Sequence, residues 1–312
     1  MTHGPLARLP RAGAALALAA ALLACGGCAY TAPPPAPSIT PPVVTPAPTR
    51  LVVEKEDVVY RTIGDVELSA RACFAPDAPS PRPTLLLIHG GGFVAGSPSA
   101  MYALCEDAAA QGYAAFAIEY RLVPESTYPA QVEDAAAAVE WLRQPAQLDR
   151  YGVDPDHIGV LGSSAGAIIA ASLGVDGEGP LTEGARVAAV AALSPVADMT
   201  DTGLTLGTAA PEAAATILAY LGCERAGTTA CPASVPASPV THVDASDAPM
   251  LLLAGESEIV PWQQPDALRA RLESAGVAAE LVVEPGASHG QQLLTPDNVA
   301  RVFAFFEQHL RG

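Results

Sequence analysis

His157-Ile158-Gly159-Val160-Leu161-Gly162-Ser163-Ser164-Ala165-Gly166-Ala167-Ile168-Ile169-Ala170 passes from an apolar strand pattern, through a glycine-flanked serine pair, into a small-residue helix pattern. That handover decides the fold. A serine on so tight a strand-to-helix turn holds its hydroxyl up in a strained backbone position, and the flanking glycines let neighbouring chain pass without a Cβ clash. The following helix aims its N-terminal amide dipoles at the same spot, which suits a developing negative oxygen. Ser164 is therefore the candidate nucleophile. G-x-S-x-G alone is a weak signal in a chain with 27 glycines; its weight comes from two further pieces in the right order.

The first piece lies upstream. Thr84 to Ile88 reads as a continuous apolar strand and ends at His89-Gly90-Gly91-Gly92-Phe93. An oxyanion needs preorganised backbone N–H donors, each worth about 3 kcal/mol in mutational tests. Consecutive glycines let amides turn inward, so Gly91 and Gly92 are the expected donors, with Ala165 supplying the amide beside the nucleophile. A plain glycine turn is the bland alternative. Three glycines at a strand end, ahead of Gly-x-Ser-x-Gly, weigh against it.

The second piece is the base. A serine hydroxyl is a poor nucleophile at neutral pH and needs an imidazole to take its proton. His289 stands in Glu284-Pro285-Gly286-Ala287-Ser288-His289-Gly290, a glycine-flanked loop between the last strand pattern and the last helix pattern. The other mature histidines fit less well. His309 falls inside the terminal helix, His157 opens a strand far from the site, His242 precedes a strand, and His89 belongs to the glycine loop.

The imidazole in turn needs a carboxylate to fix its tautomer. Gly255-Glu256-Ser257-Glu258-Ile259-Val260-Pro261, just past the strand Pro249 to Ala254, offers Glu258 first and Glu256 second. Asp198 is a third option, better read as a turn or cap at the start of an irregular segment.

Strand and helix patterns alternate along the rest of the chain. Leu51 to Ile63 and Val66 to Phe74 alternate as two strands joined at Gly64-Asp65. A helix is expected over Pro98 to Gln111, a strand over Tyr113 to Ile118, and a helix opening at Gln131 with apolar residues at helical spacing. Strands follow at Val187 to Leu193, Pro249 to Ala254 and Ala279 to Val283, with helices at Pro265 to Ala275 and Asp297 to Leu310. Continuous apolar strands alternating with helices predict a mostly parallel central sheet with helices on both faces. Active groups in such sheets gather beyond the carboxyl ends of the strands. Only the stretch from Ser194 to Ala248, an insertion at about 195–248, breaks the rhythm. Its Pro/Ala/Thr-rich composition predicts a loop or small inserted lid with few strong elements.

With these residues in place, the chain from about Leu51 onward resembles α/β-hydrolases of the hormone-sensitive-lipase-like and bacterial feruloyl-esterase-like esterases. The resemblance rests on His89 to Phe93, Glu119-Tyr120-Arg121-Leu122-Val123-Pro124-Glu125, Gly162 to Gly166, Leu251 to Pro261 and Ser288-His289-Gly290. It implies an α/β-hydrolase fold, and it implies that Glu119 and Arg121 brace the loops near the site through buried charge pairing. The family usually places aspartate at the acid position and one more residue before Val-Pro, so Glu258 is a departure. Ser163 before the nucleophile and the lack of a long N-terminal helical cap suit the feruloyl-esterase-like branch.

The chain has 312 residues, half of them apolar, enough for a full core. Residues 1–24 read as a signal peptide: Arg8 and Arg11 precede an apolar run too short to span a bilayer comfortably. Leu22-Leu23-Ala24-Cys25 resembles the bacterial lipobox, which implies Cys25 as a lipid-modified mature N-terminus and an exported, envelope-bound lipoprotein. An ordinary leader cut before Cys28 or Tyr30 is the alternative. Gly26, where aspartate would resemble an inner-membrane retention signal, leaves an outer membrane or cell surface open. Residues 25–50 form a proline-rich linker that tends to polyproline II, and 51–312 the folded domain.

Removing residues 1–24 takes away Arg8 and Arg11 and no acid, moving the formal charge from −17 to −19. That balance disfavours nucleic acid as a partner. Cys223 and Cys231 bracket a short polar loop and are expected to form a disulfide after export; Cys73 and Cys105 fit either a pair or two separate thiols. No His/Cys spacing suggests a zinc site, and no metal or organic cofactor is implied. The expected function is carboxylic ester hydrolysis on a small-molecule or glycan-linked ester, with short-chain, acetyl and phenolic esters as the expected substrates. A serine peptidase of prolyl-oligopeptidase type and a non-catalytic binding protein are the alternatives on the same fold.

Overall fold

The computed structural model describes residues 51–311; the leader, Cys25, Cys28 and the proline-rich linker lie outside the described residues. The chain opens with a hairpin, β1 (Glu54–Ile63) and β2 (Val66–Phe74), followed by β3 (Arg82–Ile88), α1 (Tyr102–Ala110) and β4 (Ala114–Ile118). Helices α2 (Ala130–Leu142) and α3 (Pro145–Tyr151) lead into β5 (Val153–Ser163), α4 (Ala165–Val175) and β6 (Ala189–Leu193). After α5 (Pro211–Leu221) come β7 (Met250–Gly255), α6 (Gln263–Ser274), β8 (Ala279–Glu284) and α7 (Pro296–Leu310).

The eight strands form one sheet in the order β1-β2-β4-β3-β5-β6-β7-β8. β1 and β2 pair antiparallel, β2 meets β4 antiparallel, and every pair from β4 to β8 is parallel. The continuous apolar runs now have their reason. Leu86 and Ile88 point to one buried face, Leu85 and Leu87 to the other, and each face carries its own core. One core holds Phe116, Val160, Ile168, Ile169 and Leu252; the other holds Leu161, Leu253, Phe303 and Phe306. Helix α4 is almost wholly buried, which is why its sequence is small and apolar all round rather than striped.

Register brings the functional loops to one edge. Ile88 pairs with Gly162, Ser163 with Leu193, Leu193 with Leu253, and Gly255 with Glu284. The segments that start at His89, Ser164, Ser194, Glu256 and Pro285 therefore leave the sheet side by side at the carboxyl ends of adjacent strands.

Three details differ from the sequence expectation. The irregular segment carries α5, three helical turns, where the sequence pattern placed no individual element. Helix α3 was not anticipated, although Pro145 at its first turn and Gly152 in the left-handed conformation at its end are ordinary start and stop signals. The stretch before α1 is a short 3-10 turn, Pro98–Met101, rather than α-helix.

Cys223 and Cys231 are disulfide-bonded, and Cys73 and Cys105 form a second bridge that joins β2 to α1. Arg121 and Glu119 do not pair with each other. Arg121 Nε lies 2.9 Å from the fully buried Asp134, which Arg61 also engages at 2.6 Å. The Glu119 carboxylate accepts from the Ser69 amide at 3.0 Å and the Ser69 hydroxyl at 2.7 Å.

Candidate active site

Ser164 occupies the single residue between β5 and α4, with φ 55° and ψ −117°. A non-glycine residue held there costs about 1–3 kcal/mol, which the packed sheet and helix must offset. The flanking glycines are required by close approach. A Cβ on Gly162 would lie 2.0 Å from the Gly166 carbonyl oxygen, and one on Gly166 would lie 2.3 Å from that of Ile88. The Ser164 amide donates to the Leu193 carbonyl at 2.8 Å, which ties the turn to the neighbouring strand.

His289 reaches this serine from the loop between β8 and α7. Its Nε2 lies 2.8 Å from Ser164 Oγ, and its Nδ1 contacts Glu258 Oε2. A carboxylate only accepts, so Nδ1–H donates to Glu258 and the bare Nε2 accepts from the serine hydroxyl. The loop is shaped by reciprocal bonds: the His289 amide donates to Gln292 Oε1 at 3.1 Å, and the Gln292 amide donates back to the His289 carbonyl at 3.2 Å.

Glu258 has a fully buried side chain and no unsatisfied oxygen. Oε1 accepts from the Gly255 amide at 2.7 Å and from the Ser194 hydroxyl at 2.9 Å. Glu256 is exposed and enters the site only through its backbone, its amide donating to the Glu284 carbonyl at 2.8 Å. Asp198 is spent on a turn, accepting from the Thr200 amide at 2.9 Å and hydroxyl at 2.6 Å. Of the three carboxylates weighed from sequence, Glu258 is the one that meets the imidazole.

The remaining histidines have other partners. His89 donates from Nδ1 to the Gly90 carbonyl at 2.7 Å and stacks on Tyr120 at 4.4 Å, and burial holds its pKa below the usual imidazole value. His157 contacts Asp154 at 2.8 Å, His242 the Pro236 carbonyl at 2.9 Å, and His309 packs tilted against the Phe305 ring.

A cavity of about 550 Å³ opens over these groups. Gly91, Gly92 and Ala165 line it together with Ser164 and His289. Ala165 is the first residue of α4, and its amide has no intrahelical acceptor. Sequence reasoning missed two contributors. Ser194 lines the cavity and is buried at φ 61°. Helix α5 supplies Ala213, Thr216 and Ile217 as a wall, and its Tyr220 stacks face to face on Phe93 of the glycine loop at 3.9 Å. Among the described residues no group of three or more His, Cys, Asp or Glu is arranged to hold a metal ion.

Residues 73–272 match the BD-FAE family. The chain is 30% identical over 274 residues to esterase LipC of Mycobacterium tuberculosis (strain ATCC 25618 / H37Rv), covering 83% of this chain and 65% of LipC, just under two thirds of that relative's length. Among solved structures it resembles Thermogutta terrifontis esterase 2 phosphonylated by sarin, with a TM-score of 0.70, 26% identity, and coverage of 81% of this chain and 94% of that one. A bacterial heroin esterase also superposes with a TM-score of 0.70, at 28% identity over 83% of this chain and 85% of its own.

Proposed function

Since the chain belongs to the BD-FAE family and has the α/β-hydrolase fold, we propose that it is a serine carboxylic ester hydrolase with Ser164, His289 and Glu258 as its reacting and orienting groups. One line of contacts carries this reading: Ser164 Oγ sits 2.8 Å from His289 Nε2, whose ring is held from behind by a buried carboxylate. Ser164 attacks the ester carbonyl while His289 takes its proton. Negative charge develops on the carbonyl oxygen, where the amides of Gly91, Gly92 and Ala165 stabilise it. The imidazolium then protonates the departing alkoxide. A water, deprotonated by the same imidazole, attacks the acyl-serine, releases the acid and restores the hydroxyl. Glu258 fixes the ring and stabilises its charge.

The cavity of about 550 Å³ is of a size that suits a small molecule. Its lining is mainly apolar, including Ile168, Val196, Ile217, Ile259 and Val260. A net charge of −17 disfavours polyanionic substrates. These features support neutral, compact esters, free or carried on a glycan.

We also propose that the protein is exported and held at the cell envelope by a lipid on Cys25. The support is the leader pattern, the Leu22-Leu23-Ala24-Cys25 run and the oxidised pairs Cys73–Cys105 and Cys223–Cys231, which persist in oxidising compartments.

The test is hydrolysis of p-nitrophenyl butyrate and labelling by a fluorophosphonate probe, a reagent class suggested by the sarin adduct of esterase 2. Ser164→Ala is expected to lose about a thousandfold or more in turnover, along with all labelling. Comparable turnover by the two proteins overturns the assignment.

A further inference from the structure

Two ionisable side chains line the cavity over Ser164: His289, whose ring is already engaged by Glu258, and Glu212. No lysine, arginine or aspartate stands among the described residues of that lining. Glu212 is exposed, and among the described residues its carboxylate has neither an ion pair nor a hydrogen bond. An acid in the first turn of a helix has an ordinary structural use, since it complements the amide dipoles there. That use accounts for the residue type but not for its face. Glu212 shares the inner stripe of α5 with Ala213, Thr216 and Ile217, all of which line the cavity.

Contacts on either side of Glu212 fix this stripe in place. Just before α5, the Ala210 amide donates to the carbonyl of Ile259, the residue after Glu258, at 3.0 Å. One turn beyond Glu212, Thr216 packs so closely on the glycine loop that a Cβ on Gly92 would lie 2.9 Å from its Cγ2. The carboxylate therefore stands at the rim between the acid loop and the glycine loop, on a Cβ about 6 Å from that of Thr216. Val94, Ile217 and Ile259 make the surrounding wall apolar. Low-dielectric walls focus the field of a lone charge into the cleft they enclose.

We propose that Glu212 is a specificity-determining residue, giving the site a preference for esters that carry a quaternary or protonated amine over neutral esters of the same shape. The rim suits such a group twice over: its methyl or methylene carbons lie on the apolar wall, and its charge is met by the carboxylate. This rests on the ester-hydrolase reading above and extends its substrates from neutral esters to cationic ones. The role is one of binding, so the preference falls on KM more than on kcat.

Acetylcholine and its carbon isostere, with tert-butyl in place of trimethylammonium, share a shape and differ by one charge. The wild-type full chain is expected to show the higher kcat/KM on acetylcholine. Glu212→Gln is expected to lower the acetylcholine-to-isostere ratio about fivefold, mostly through KM, and Glu212→Lys to lower it further. A ratio taken on one protein is not moved by partial loss of folded enzyme. Raising the ionic strength from about 0.02 M to about 0.5 M is expected to shrink the wild-type preference and leave that of Glu212→Gln nearly unchanged. Glu54→Gln is the control. Glu54 is exposed on the outer strand β1 and pairs with Phe74, at the end of the sheet away from the site, and its loss changes the net charge equally. A Glu212→Gln ratio within about 1.5-fold of wild type at low ionic strength overturns the proposal. An equal fall in Glu54→Gln also overturns it, by assigning the preference to the charge of the whole chain. A wild type that hydrolyses p-nitrophenyl butyrate but turns over acetylcholine no better than the isostere overturns it too, while leaving the ester-hydrolase reading intact. Absence of turnover by the wild type on every ester overturns both.

Discussion

The hydroxyl of Ser194 donates to Oε1 of Glu258 at 2.9 Å while accepting from the Gly290 amide at 2.9 Å. One side chain at the end of β6 thus ties the carboxylate loop after β7 to the histidine loop after β8. Its backbone sits at φ 61°, and its own amide donates to the Leu253 carbonyl at 2.8 Å. The strained turn aims the hydroxyl across the sheet edge, between two loops that must agree in position to within a hydrogen bond.

Ser194→Ala therefore removes a positioning contact without touching the reacting atoms. A hydrogen bond to a charged group contributes about 1.5–3 kcal/mol, so kcat is expected to fall about tenfold to a hundredfold. KM is expected to stay near its wild-type value. A denaturant midpoint near the wild-type value beside the lower kcat separates this from a loss of folding. An unchanged kcat removes Ser194 from the machinery.

Glu258 and Glu256 are told apart by the same chemistry. Glu258 is fully buried with three donors on its two oxygens, whereas Glu256 is exposed. Glu258→Gln keeps the shape but favours the wrong imidazole tautomer, and is expected to cost about a thousandfold to ten-thousandfold in kcat. Glu256→Ala is expected to stay within about twofold. The loop that carries the acid is about one residue shorter than the family arrangement, and glutamate is one methylene longer than aspartate. The longer side chain spans the gap, so Glu258→Asp falls short by about 1.5 Å and is expected to lose activity partway between the two. Kinetics on one p-nitrophenyl ester rank all three.

Much of this was legible in the chain because the relevant signals are local. Leu85 to Ile88, Ile158 to Leu161 and Leu251 to Leu253 are buried on both faces, and burial of that kind writes itself as an unbroken apolar run. Gly162 and Gly166 are small because backbone passes within contact of them, so the turn could be read from composition. Ser194 left no such mark. A serine after a strand looks like any turn residue, and its role exists only because β6 lies between β5 and β7. Helix α5 was hidden for a related reason. Its Pro-Glu-Ala-Ala-Ala run sits in a low-complexity segment, and its fixed place depends on Tyr220 stacking on Phe93, more than a hundred residues upstream. Pairing of Cys73 with Cys105 needed α1 to lie on β2, a contact that spacing alone cannot supply.

The two disulfides are expected to differ in what they contribute. Cross-linking stabilises by restricting the unfolded chain, and the effect grows with the loop it closes. The Cys73–Cys105 bridge spans a separation of 32 residues, and Cys223–Cys231 a separation of 8. Chain-entropy scaling gives about 3.7 kcal/mol for the first and about 2.6 kcal/mol for the second. Loss of the first bridge should therefore lower the denaturant midpoint more than loss of the second. The functional consequence should run the other way. Cys223 stands just past the Gly222 cap of α5, so the double substitution Cys223→Ser/Cys231→Ser loosens the helix that walls the cavity and carries Tyr220 against the glycine loop. Cys73 and Cys105 join β2 to α1, away from the residues that line the reaction cavity. Urea unfolding and ester kinetics on both double-serine variants check the two rankings together. The Cys73/Cys105 variant should be the less stable, with kinetics close to wild type where it is folded. The Cys223/Cys231 variant should be the more stable of the two, with the larger loss of kcat/KM. A Cys73/Cys105 variant that is worse on both measures would mean that α5 holds its place without help from the Cys223–Cys231 bridge.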